Sequence, residues 1–315
     1  MQIYDRDAVA DALPYGALVD ALENAFRSDA VVPGRAHHQL KVPGFADATL
    51  LTMPAWRSGK VLGVKIATIF PGNVEKDLPS VNATYLLLNA NTGQPIAIFD
   101  GAELTLRRMA ASSALASRYL SRKDAKSLLM VGTGKLAPHL ICAHATVREL
   151  SAVRIWGRRP IAAVQLAASL APASFTPTAV DDLEAAARHA DIISCATLAT
   201  EPLIKGAWLH PGQHLDLVGA FRPDMSEADG EAISRSEVYV DTLSGALAEA
   251  GEIVQAMESG RLKRNDIVGD LFALTRGTCP PRQSADAITL FKSVGSALED
   301  LAAAELASAG VRGRE

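Results

Sequence analysis

The sequence predicts an α/β protein in which a doubly wound parallel sheet is joined to a second, α+β domain. From about residue 127 onward, apolar strand-like segments alternate with helical segments, the pattern of a parallel sheet with helices on both faces. A glycine turn, Gly132-Thr133-Gly134, follows the first of these strands. Before this turn, several strand-like segments follow one another without helices between them, which favours an antiparallel sheet.

The length and composition indicate a globular protein of about two domains. The chain has 315 residues, of which 49% are hydrophobic and 21% are charged. Its net charge of −4 gives no reason to expect nucleic acid or an anionic membrane as a partner. The segment 1–7 contains charged residues where a signal peptide needs an apolar run. No segment approaches the roughly 20 apolar residues of a membrane span.

Three cysteines, Cys142, Cys195 and Cys279, lie far apart and show no metal-ligand spacing. We therefore expect free thiols, no bound metal, and a cytoplasmic protein, because the cytoplasm is reducing. No G-x-S-x-G, H-E-x-x-H or P-loop pattern occurs, which disfavours hydrolase, metalloprotease and NTPase functions.

The first predicted domain covers residues 1–120. It opens with a helix at 14–28, since Leu18, Leu22 and Phe26 lie on one helical face. Runs rich in Val, Ile, Leu and Thr, separated by turn residues, then predict strands. These strands are 49–56, 61–70, 81–89 and 95–100. A helix over 103–120 leads into the second domain.

The second predicted domain covers residues 121–283 and contains the alternating elements. We predict strands at 127–131, 152–156, 176–180, 191–195, 214–218 and 238–240, and helices from 136, from 160 and near 182–189. Residues 284–309 are predicted to be mostly helical. Because the parallel sheet looks complete before this helix, we expect 284–315 to return to the first domain.

The glycine turn matches the dinucleotide fingerprint G-x-G-x-x-G/A in its expected setting between a strand and a helix. Gly132 allows the tight turn, Gly134 lets the backbone approach a pyrophosphate, and Ala137 lets the helix lie close to the strand. Thr133 lies within the same turn. The positive end of the helix dipole would attract the phosphates. The sequence therefore predicts a Rossmann-type domain that binds a nicotinamide dinucleotide.

The residues after the second strand of this domain predict which dinucleotide is used. NAD-binding domains carry an acidic residue about 20 positions after the glycines. Here Arg158 and Arg159 occupy this place, and their planar forks of donors suit a 2′-phosphate. Alternatively they are solvated arginines at a helix start, although the helix dipole disfavours cations there. We expect NADPH, with NADH as the alternative.

Several segments together resemble the ornithine cyclodeaminase/mu-crystallin family over nearly the whole chain. They are M-P-A at 53–55, G-V-K-I at 63–66, L-T-L-R-R-M-A-A-S at 104–112, V-G-T-G at 131–134, V-G-A at 218–220, S-A-D at 284–286 and T-L-F-K-S-V-G at 289–295. The resemblance implies a homodimer. It also implies that the first domain supplies the subunit contact and the substrate site, facing the dinucleotide domain across a cleft.

The resemblance also implies three cations that hold a substrate carboxylate. Lys65 matches the family lysine, Arg108 matches the arginine of the L-T-x-x-R motif, and Arg35 is the counterpart of an early arginine, with Lys41 as the alternative. Three cations around one small site would be costly unless an anion completes it.

Three further features near this site follow from the resemblance or the sequence. Ser80 stands where the family often has a Thr near the nicotinamide, whereas Met109 replaces the usual Thr after the arginine. His37 and His38 could line the site as proton donors, or they are simple polar contacts.

The segment from Gly219 to Glu227 indicates the branch of the family. Cyclodeaminases and the related alanine dehydrogenases carry an Asp directly after the Gly-Gly or Gly-Ala pair, whereas this chain has Phe221. The segment is similar to the G-A-x-R-P-D-x-x-E pattern of mu-crystallin and of bacterial ketimine reductases. Asp224 would then stabilise the protonated imine or relay a proton, or else form a capping box with Glu227 for the next helix.

The resemblance therefore implies an NADPH-dependent reductase of small cyclic imino acids, such as Δ1-pyrroline-2-carboxylate and Δ1-piperideine-2-carboxylate, that yields L-proline or L-pipecolate. Ornithine cyclodeamination and alanine dehydrogenation are the alternatives within the family. A crystallin-like protein that binds the nucleotide without turnover is an alternative of another class.

Overall fold

The computed structural model describes residues 1–171 and 173–312. In chain order, the strands of these residues are β1 (Gln2–Tyr4), β2 (Ala36–Leu40), β3 (Ala48–Arg57), β4 (Val61–Ile69), β5 (Val81–Asn89), β6 (Pro95–Asp100), β7 (Ser127–Val131), β8 (Ala152–Trp156), β9 (Thr176–Ala179), β10 (Ile192–Cys195), β11 (His214–Leu217), β12 (Glu237–Val240), β13 (Ile267–Asp270) and β14 (Thr289–Lys292).

The α-helices of the same residues are α1 (Arg6–Ala12), α2 (Tyr15–Arg27), α3 (Gly101–Leu120), α4 (Ala137–Val147), α5 (Pro160–Ser169), α6 (Leu183–Arg188), α7 (Gly230–Ser234), α8 (Leu243–Glu249), α9 (Gly251–Glu258), α10 (Leu271–Arg276) and α11 (Ala297–Arg312). Among these helices, none combines the length and the apolar character that crossing a membrane requires.

The chain forms two compact units. One holds residues 1–108 together with α11, and the other holds residues 109–295. The division falls inside α3 and just before α11, whereas the sequence placed it near residues 120 and 284. Helix α3 is continuous from Gly101 to Leu120, so the division between the units does not coincide with the end of an element. The roles of the two domains, as carrier of the substrate site and carrier of the nucleotide site, stay predictions.

The first unit is built on a six-stranded sheet in the order β1-β6-β5-β4-β3-β2. Strands β2 to β6 pair antiparallel, and β1 pairs parallel with β6. Alternate residues such as Met53, Ala55, Tyr85 and Leu87 are buried, as expected for strands with one face toward a core. Helices α2 and α11 pack together, and α11 also lies against β3, β4 and β5. This arrangement places the side chains of α11 beside those of β4.

The second unit is built on an eight-stranded parallel sheet in the order β13-β12-β14-β11-β10-β7-β8-β9. Strands β7 and β10 are mostly apolar and buried, as a parallel sheet covered on both faces requires. The carboxyl ends of β7, β8, β10 and β11 lie at one edge of this sheet. In doubly wound folds, ligands bind at this edge. The predicted fold class is confirmed.

The segment 284–309 was predicted to be mostly helical, and this is wrong in its first half. Residues 289–292 form β14, a buried strand between β11 and β12, so the parallel sheet was not complete before it. A segment as short as β14, with two apolar residues between a threonine and a lysine, does not distinguish a buried strand from a helix, and the Ala-rich sequence after it favoured a helix. Only the later part, α11, is helical. Strands β1, β2 and β13 and helices α1 and α7 to α10 were not predicted.

Candidate active site

The glycine turn after β7 has the backbone geometry that the fingerprint requires. Gly132 adopts a φ of 120°, and a Cβ placed on it would lie 2.6 Å from the carbonyl oxygen of Ala196. Any side chain here would therefore meet both backbone strain and a steric clash. The loop after β10, the strand that pairs with β7, thus packs directly on Gly132.

Gly134 lies in open space rather than in a packed turn. Apart from its chain neighbours, no heavy atom of the described residues lies within 4 Å of the position that its Cβ would take. Ala137 is fully buried at the start of α4, and the N-cap residue Leu136 gives that helix no side-chain cap. An exposed backbone beside the positive end of a helix fits a pyrophosphate. The residues of the turn therefore fit a dinucleotide.

Arg158 and Arg159 follow β8, whose last residue Trp156 lies beside Val131, the last residue of β7. Both arginines are exposed. Gly157 is tightly packed, because a Cβ on it would lie 2.7 Å from Cγ2 of Thr133. The fingerprint turn and the arginines are thus held next to each other at the carboxyl edge of the sheet, as binding of a 2′-phosphorylated nucleotide would require.

Lys65 and Arg108 lie together in the interior of the first unit, and both are already paired with carboxylates of α11. Lys65 Nζ lies 2.7 Å from Asp300 Oδ2, and Arg108 Nε lies 2.9 Å from Asp300 Oδ1. Arg108 Nη1 lies 2.6 Å from Glu299 Oε2. The cations therefore do not depend on a bound anion alone for compensation. The expectation that only a bound anion could offset the cost of these buried cations is therefore wrong. The proposal that Lys65 and Arg108 bind the substrate is unaffected.

The charge states of this cluster follow from burial and from its partners. Burial, the neighbouring Arg108 and, to a smaller extent, Arg35 lower the pKa of Lys65 from 10.5 to about 8, against the opposing effect of Asp300. Burial alone would lower the pKa of Arg108, but Asp300 and Glu299 together raise it. At neutral pH Lys65 and Arg108 are therefore cationic, and Lys65 loses its proton first as the pH rises.

The third cation could be either Arg35 or Lys41, and their surroundings differ. Arg35 is half-buried and close enough to Lys65 to lower its pKa. The Lys41 side chain is 89% exposed and forms an ion pair of 2.7 Å with Asp47. These contacts favour Arg35. His37 and His38 lie exposed on the edge strand β2, and Ser80 is partly buried directly before β5.

Asp224 and Glu227 do not form the capping box that their spacing suggested. The next helix, α7, begins at Gly230, and its cap is Asp229, whose carboxylate accepts a bond of 2.8 Å from the Ala232 N–H. Asp224 is exposed and accepts two bonds of 2.9 Å from Arg222. Glu227 is fully buried. The capping-box prediction is wrong because the backbone stays non-helical until Gly230.

A family model described as the ornithine cyclodeaminase/mu-crystallin family matches residues 2–314 of the sequence. The chain belongs to the ornithine cyclodeaminase/mu-crystallin family. A relative from Colwellia psychrerythraea, named Delta(1)-pyrroline-2-carboxylate reductase, is 39% identical over 310 residues, which cover 96% of this chain and 97% of the relative.

Two solved structures of similar proteins extend the comparison. The Delta(1)-pyrroline-2-carboxylate reductase of Thermococcus litoralis, in complex with NADH and L-proline, is 31% identical with a TM-score of 0.92 and covers 100% of this chain and 98% of its own. An archaeal alanine dehydrogenase dimer with bound NAD is 27% identical with a TM-score of 0.91 and covers 100% of this chain and 97% of its own. The predicted membership of the ornithine cyclodeaminase/mu-crystallin family is confirmed. The predicted enzyme class, an oxidoreductase that uses a nicotinamide cofactor, is also confirmed by these relatives.

Sequence reasoning missed the acidic residues that pair with the cations of this family member. Glu299 and Asp300 are fully buried in the Ala-rich helix α11. The sequence signal for their role was weak: two adjacent acidic residues within a mostly apolar segment. It also missed a buried group in the second unit, formed by Glu227, Glu252 and Lys292. The signal for this group was a lysine that ends the apolar run of β14.

Proposed function

We propose that this chain reduces small cyclic ketimines with NADPH, converting Δ1-pyrroline-2-carboxylate, and also Δ1-piperideine-2-carboxylate, to L-proline and L-pipecolate. The observation that carries the proposal is Phe221, which follows Gly219 and Ala220 where cyclodeaminases and alanine dehydrogenases have an aspartate. A phenyl ring can neither accept a proton nor pair with an ammonium group. It suits the methylene groups of a cyclic imino acid.

The charge of the cluster in the first unit supports an anionic substrate. Lys65, Arg108 and Arg35 carry three positive charges, and Glu299 and Asp300 carry two negative charges. The sum of these groups is +1, so a single carboxylate would neutralise it. Such binding would fix the substrate through its carboxylate, and most of the rate enhancement would come from positioning.

The reduction itself requires one hydride and one proton. When bound, NADPH would supply a hydride from C4 of its nicotinamide to C2 of the protonated imine, whose C=N electron pair then stays on nitrogen. The bond from Arg222 lowers the pKa of Asp224, so this carboxylate is ionised at neutral pH. We propose that it stabilises the iminium charge rather than donating a proton. Lys65, cationic below about pH 8, would hold the substrate carboxylate beside the reacting carbon.

We expect NADPH to be preferred over NADH because Arg158 and Arg159 lie beside the fingerprint turn. Loss of one charged contact to the 2′-phosphate costs about 1.5–3 kcal/mol, or roughly tenfold to a hundredfold in affinity. Replacing Arg158 by Asp should therefore erase or reverse the preference, measured as the ratio of kcat/KM for the two cofactors. Equal use of both cofactors by the unmodified enzyme would contradict this prediction.

The pH dependence of substrate use should report Lys65. Its pKa is lowered to about 8, so the cation that binds the carboxylate is present below that pH and is lost as the pH rises through it. We expect kcat/KM for the ketimine to fall about tenfold per pH unit above about pH 8. Arginine at this position would stay charged. Lys65→Arg should therefore abolish the fall in kcat/KM that titration of Lys65 causes above about pH 8. The imine of the substrate titrates in the same way with both proteins, so a difference between their profiles reports the residue at position 65. An identical alkaline limb in both would contradict the assignment.

A homodimer and a cytoplasmic location belong to the same proposal. The face of the first sheet away from α11 carries apolar pairs such as Leu62 opposite Leu88 and Val64 opposite Leu86, and Ile66 on the same face is 45% exposed. A second copy of the chain would cover this face, as exposed apolar patches generally require. The three free cysteines suit a reducing compartment.

The test is an assay of cyclic ketimines with each cofactor, combined with product analysis. Purified protein with Δ1-pyrroline-2-carboxylate and NADPH should form proline in a 1:1 ratio with NADPH oxidised. Pyruvate with ammonia should give no comparable rate. Activity with pyruvate instead would indicate an alanine dehydrogenase. Binding of NADPH without any turnover would indicate a nucleotide-binding protein that is not an enzyme.

A further inference from the structure

Glu227 joins two loops at the carboxyl edge of the parallel sheet. Its Oε1 accepts bonds from the Thr197 N–H at 2.6 Å and from Thr197 Oγ1 at 2.9 Å. Its Oε2 accepts a bond from the Gly219 N–H at 2.6 Å. Thr197 follows β10 and Gly219 follows β11, so a single carboxylate holds both loops.

The contact between these loops leaves no spare room. A Cβ on Gly219 would lie 2.0 Å from the Thr197 carbonyl oxygen and 2.4 Å from Glu227 Oε1. The loop of Thr197 also touches the fingerprint, because the Ala196 N–H donates to the Val131 carbonyl at 2.9 Å and a Cβ on Gly132 would lie 3.3 Å from Thr197 Cγ2. A movement of Thr197 would therefore displace the glycine turn.

The surroundings of Glu227 are charged and buried. Its own N–H donates to Glu252 Oε1 at 2.8 Å, and Glu252 Oε2 lies 3.1 Å from Lys292 Nζ. Glu227 and Lys292 are fully buried and Glu252 is 2% exposed. The thiol of Cys195, at the end of β10, is also close, since Glu227 contributes to raising its pKa. Lys292 pairs with Glu252 and also lowers the pKa of Glu227 through its charge, so one buried lysine compensates two buried acids, an expensive arrangement for a merely structural contact.

We propose that Glu227 is a positioning residue for the nucleotide, whose ionised carboxylate holds the loops after β10 and β11 in the conformation that binds it. This inference rests on the proposed nucleotide site at Gly132 and Gly134. Three donors converge on the two carboxylate oxygens, and an ionised carboxylate accepts all of them, whereas a protonated one has an O–H that competes with a donor. The loops are therefore coupled to the charge of Glu227.

The charge of Glu227 changes near neutral pH. Burial raises its pKa to about 7, with Glu252 acting in the same direction and Lys292, Thr197 and Gly219 opposing the shift. Above about pH 7 the carboxylate is ionised and holds both loops. Below it, protonation removes an acceptor, and nucleotide affinity falls.

The experiment measures NADPH affinity by fluorescence between pH 6 and 8.5 for the unmodified chain, Glu227→Gln and Glu201→Gln. Glu201 is an exposed acid in the loop that follows β10, so Glu201→Gln is the matched control. The amide of Glu227→Gln places an N–H₂ group where a second acceptor is needed. We expect this variant to bind about tenfold more weakly at pH 8 and to lack the loss of affinity below about pH 7. The 2′-phosphate of NADPH titrates in the same way with all three proteins, so a difference between their pH profiles reports Glu227.

Each outcome decides the inference. If Glu227→Gln binds NADPH like the other two proteins and shares their pH profile, the inference is overturned and the proposed function stands. If neither the unmodified chain nor Glu201→Gln binds NADPH, the nucleotide site fails and the inference fails with it. If Glu227→Gln does not fold, NADH, which has no 2′-phosphate, is titrated with the unmodified chain. A fall in affinity below about pH 7 then supports the inference, and a flat profile overturns it.

Discussion

Replacing Arg108 by alanine is expected to lower the free energy of unfolding by about 3–5 kcal/mol, the typical cost of breaking a buried ion pair. The variant would remove the ion pairs that Arg108 makes with Glu299 and Asp300, and both carboxylates are fully buried. Chemical denaturation followed by circular dichroism measures this loss. An unfolding free energy within about 1 kcal/mol of the original would contradict the described cluster.

A surface arginine provides the matched control for Arg108. Arg27 also pairs with a carboxylate, that of Glu23 one helical turn away, but its side chain is 48% exposed. Arg27→Ala should change stability by no more than about 0.5 kcal/mol, as is usual for exposed pairs.

Because Arg108→Ala loses stability, Arg108→Lys is the better test of substrate binding. It keeps the charge without the planar fork, so KM for the ketimine should rise while nucleotide affinity is unchanged.

The second large effect is expected at Gly134, where valine should block the nucleotide without disturbing the fold. No described heavy atom other than its chain neighbours would meet a Cβ within 4 Å, so the unfolding free energy should stay within about 0.5 kcal/mol. A branched side chain would occupy the place where the backbone meets a pyrophosphate. NADPH affinity should fall about a hundredfold, equivalent to about 2.7 kcal/mol. Fluorescence titration measures it.

Gly132 serves as the contrasting position for this prediction. Its φ of 120° and the Ala196 carbonyl oxygen, which would lie 2.6 Å from an added Cβ, make even alanine unfavourable. Gly132→Ala should therefore lower the unfolding free energy by about 1–3 kcal/mol, the usual cost of such strain. If Gly134→Val bound NADPH like the original chain, the pyrophosphate would not lie at this turn.

The geometry of the fingerprint turn could be predicted from the sequence because its determinants are local. A strand, two glycines and a helix follow one another within residues 127–147, and Arg158 and Arg159 follow the next strand. Short-range geometry is enough to place such residues at one sheet edge. A local pattern is not always enough. The capping-box pattern of Asp224 and Glu227 is also local, but the helix that it required begins later, at Gly230.

The partners of the cations could not be predicted in the same way. Arg108 and Asp300 are 192 residues apart and meet only because α11 returns to the first unit and packs on its sheet. Glu227, Glu252 and Lys292 likewise come from three separate segments. Long-range ion pairs depend on tertiary packing rather than on spacing, so the sequence offered only a weak signal, namely charged residues within apolar runs.

The most direct test of the central claim compares two reactions of the same purified protein. One is NADPH oxidation with Δ1-pyrroline-2-carboxylate, and the other is ammonia release from ornithine with NAD. Phe221 stands where a cyclodeaminase needs an aspartate, so we predict ketimine reduction and no measurable ammonia or proline from ornithine. Phe221→Asp should impair the reduction by placing an uncompensated carboxylate in the site. Ammonia release from ornithine at a rate comparable with ketimine reduction would contradict the proposal and restore the cyclodeaminase assignment.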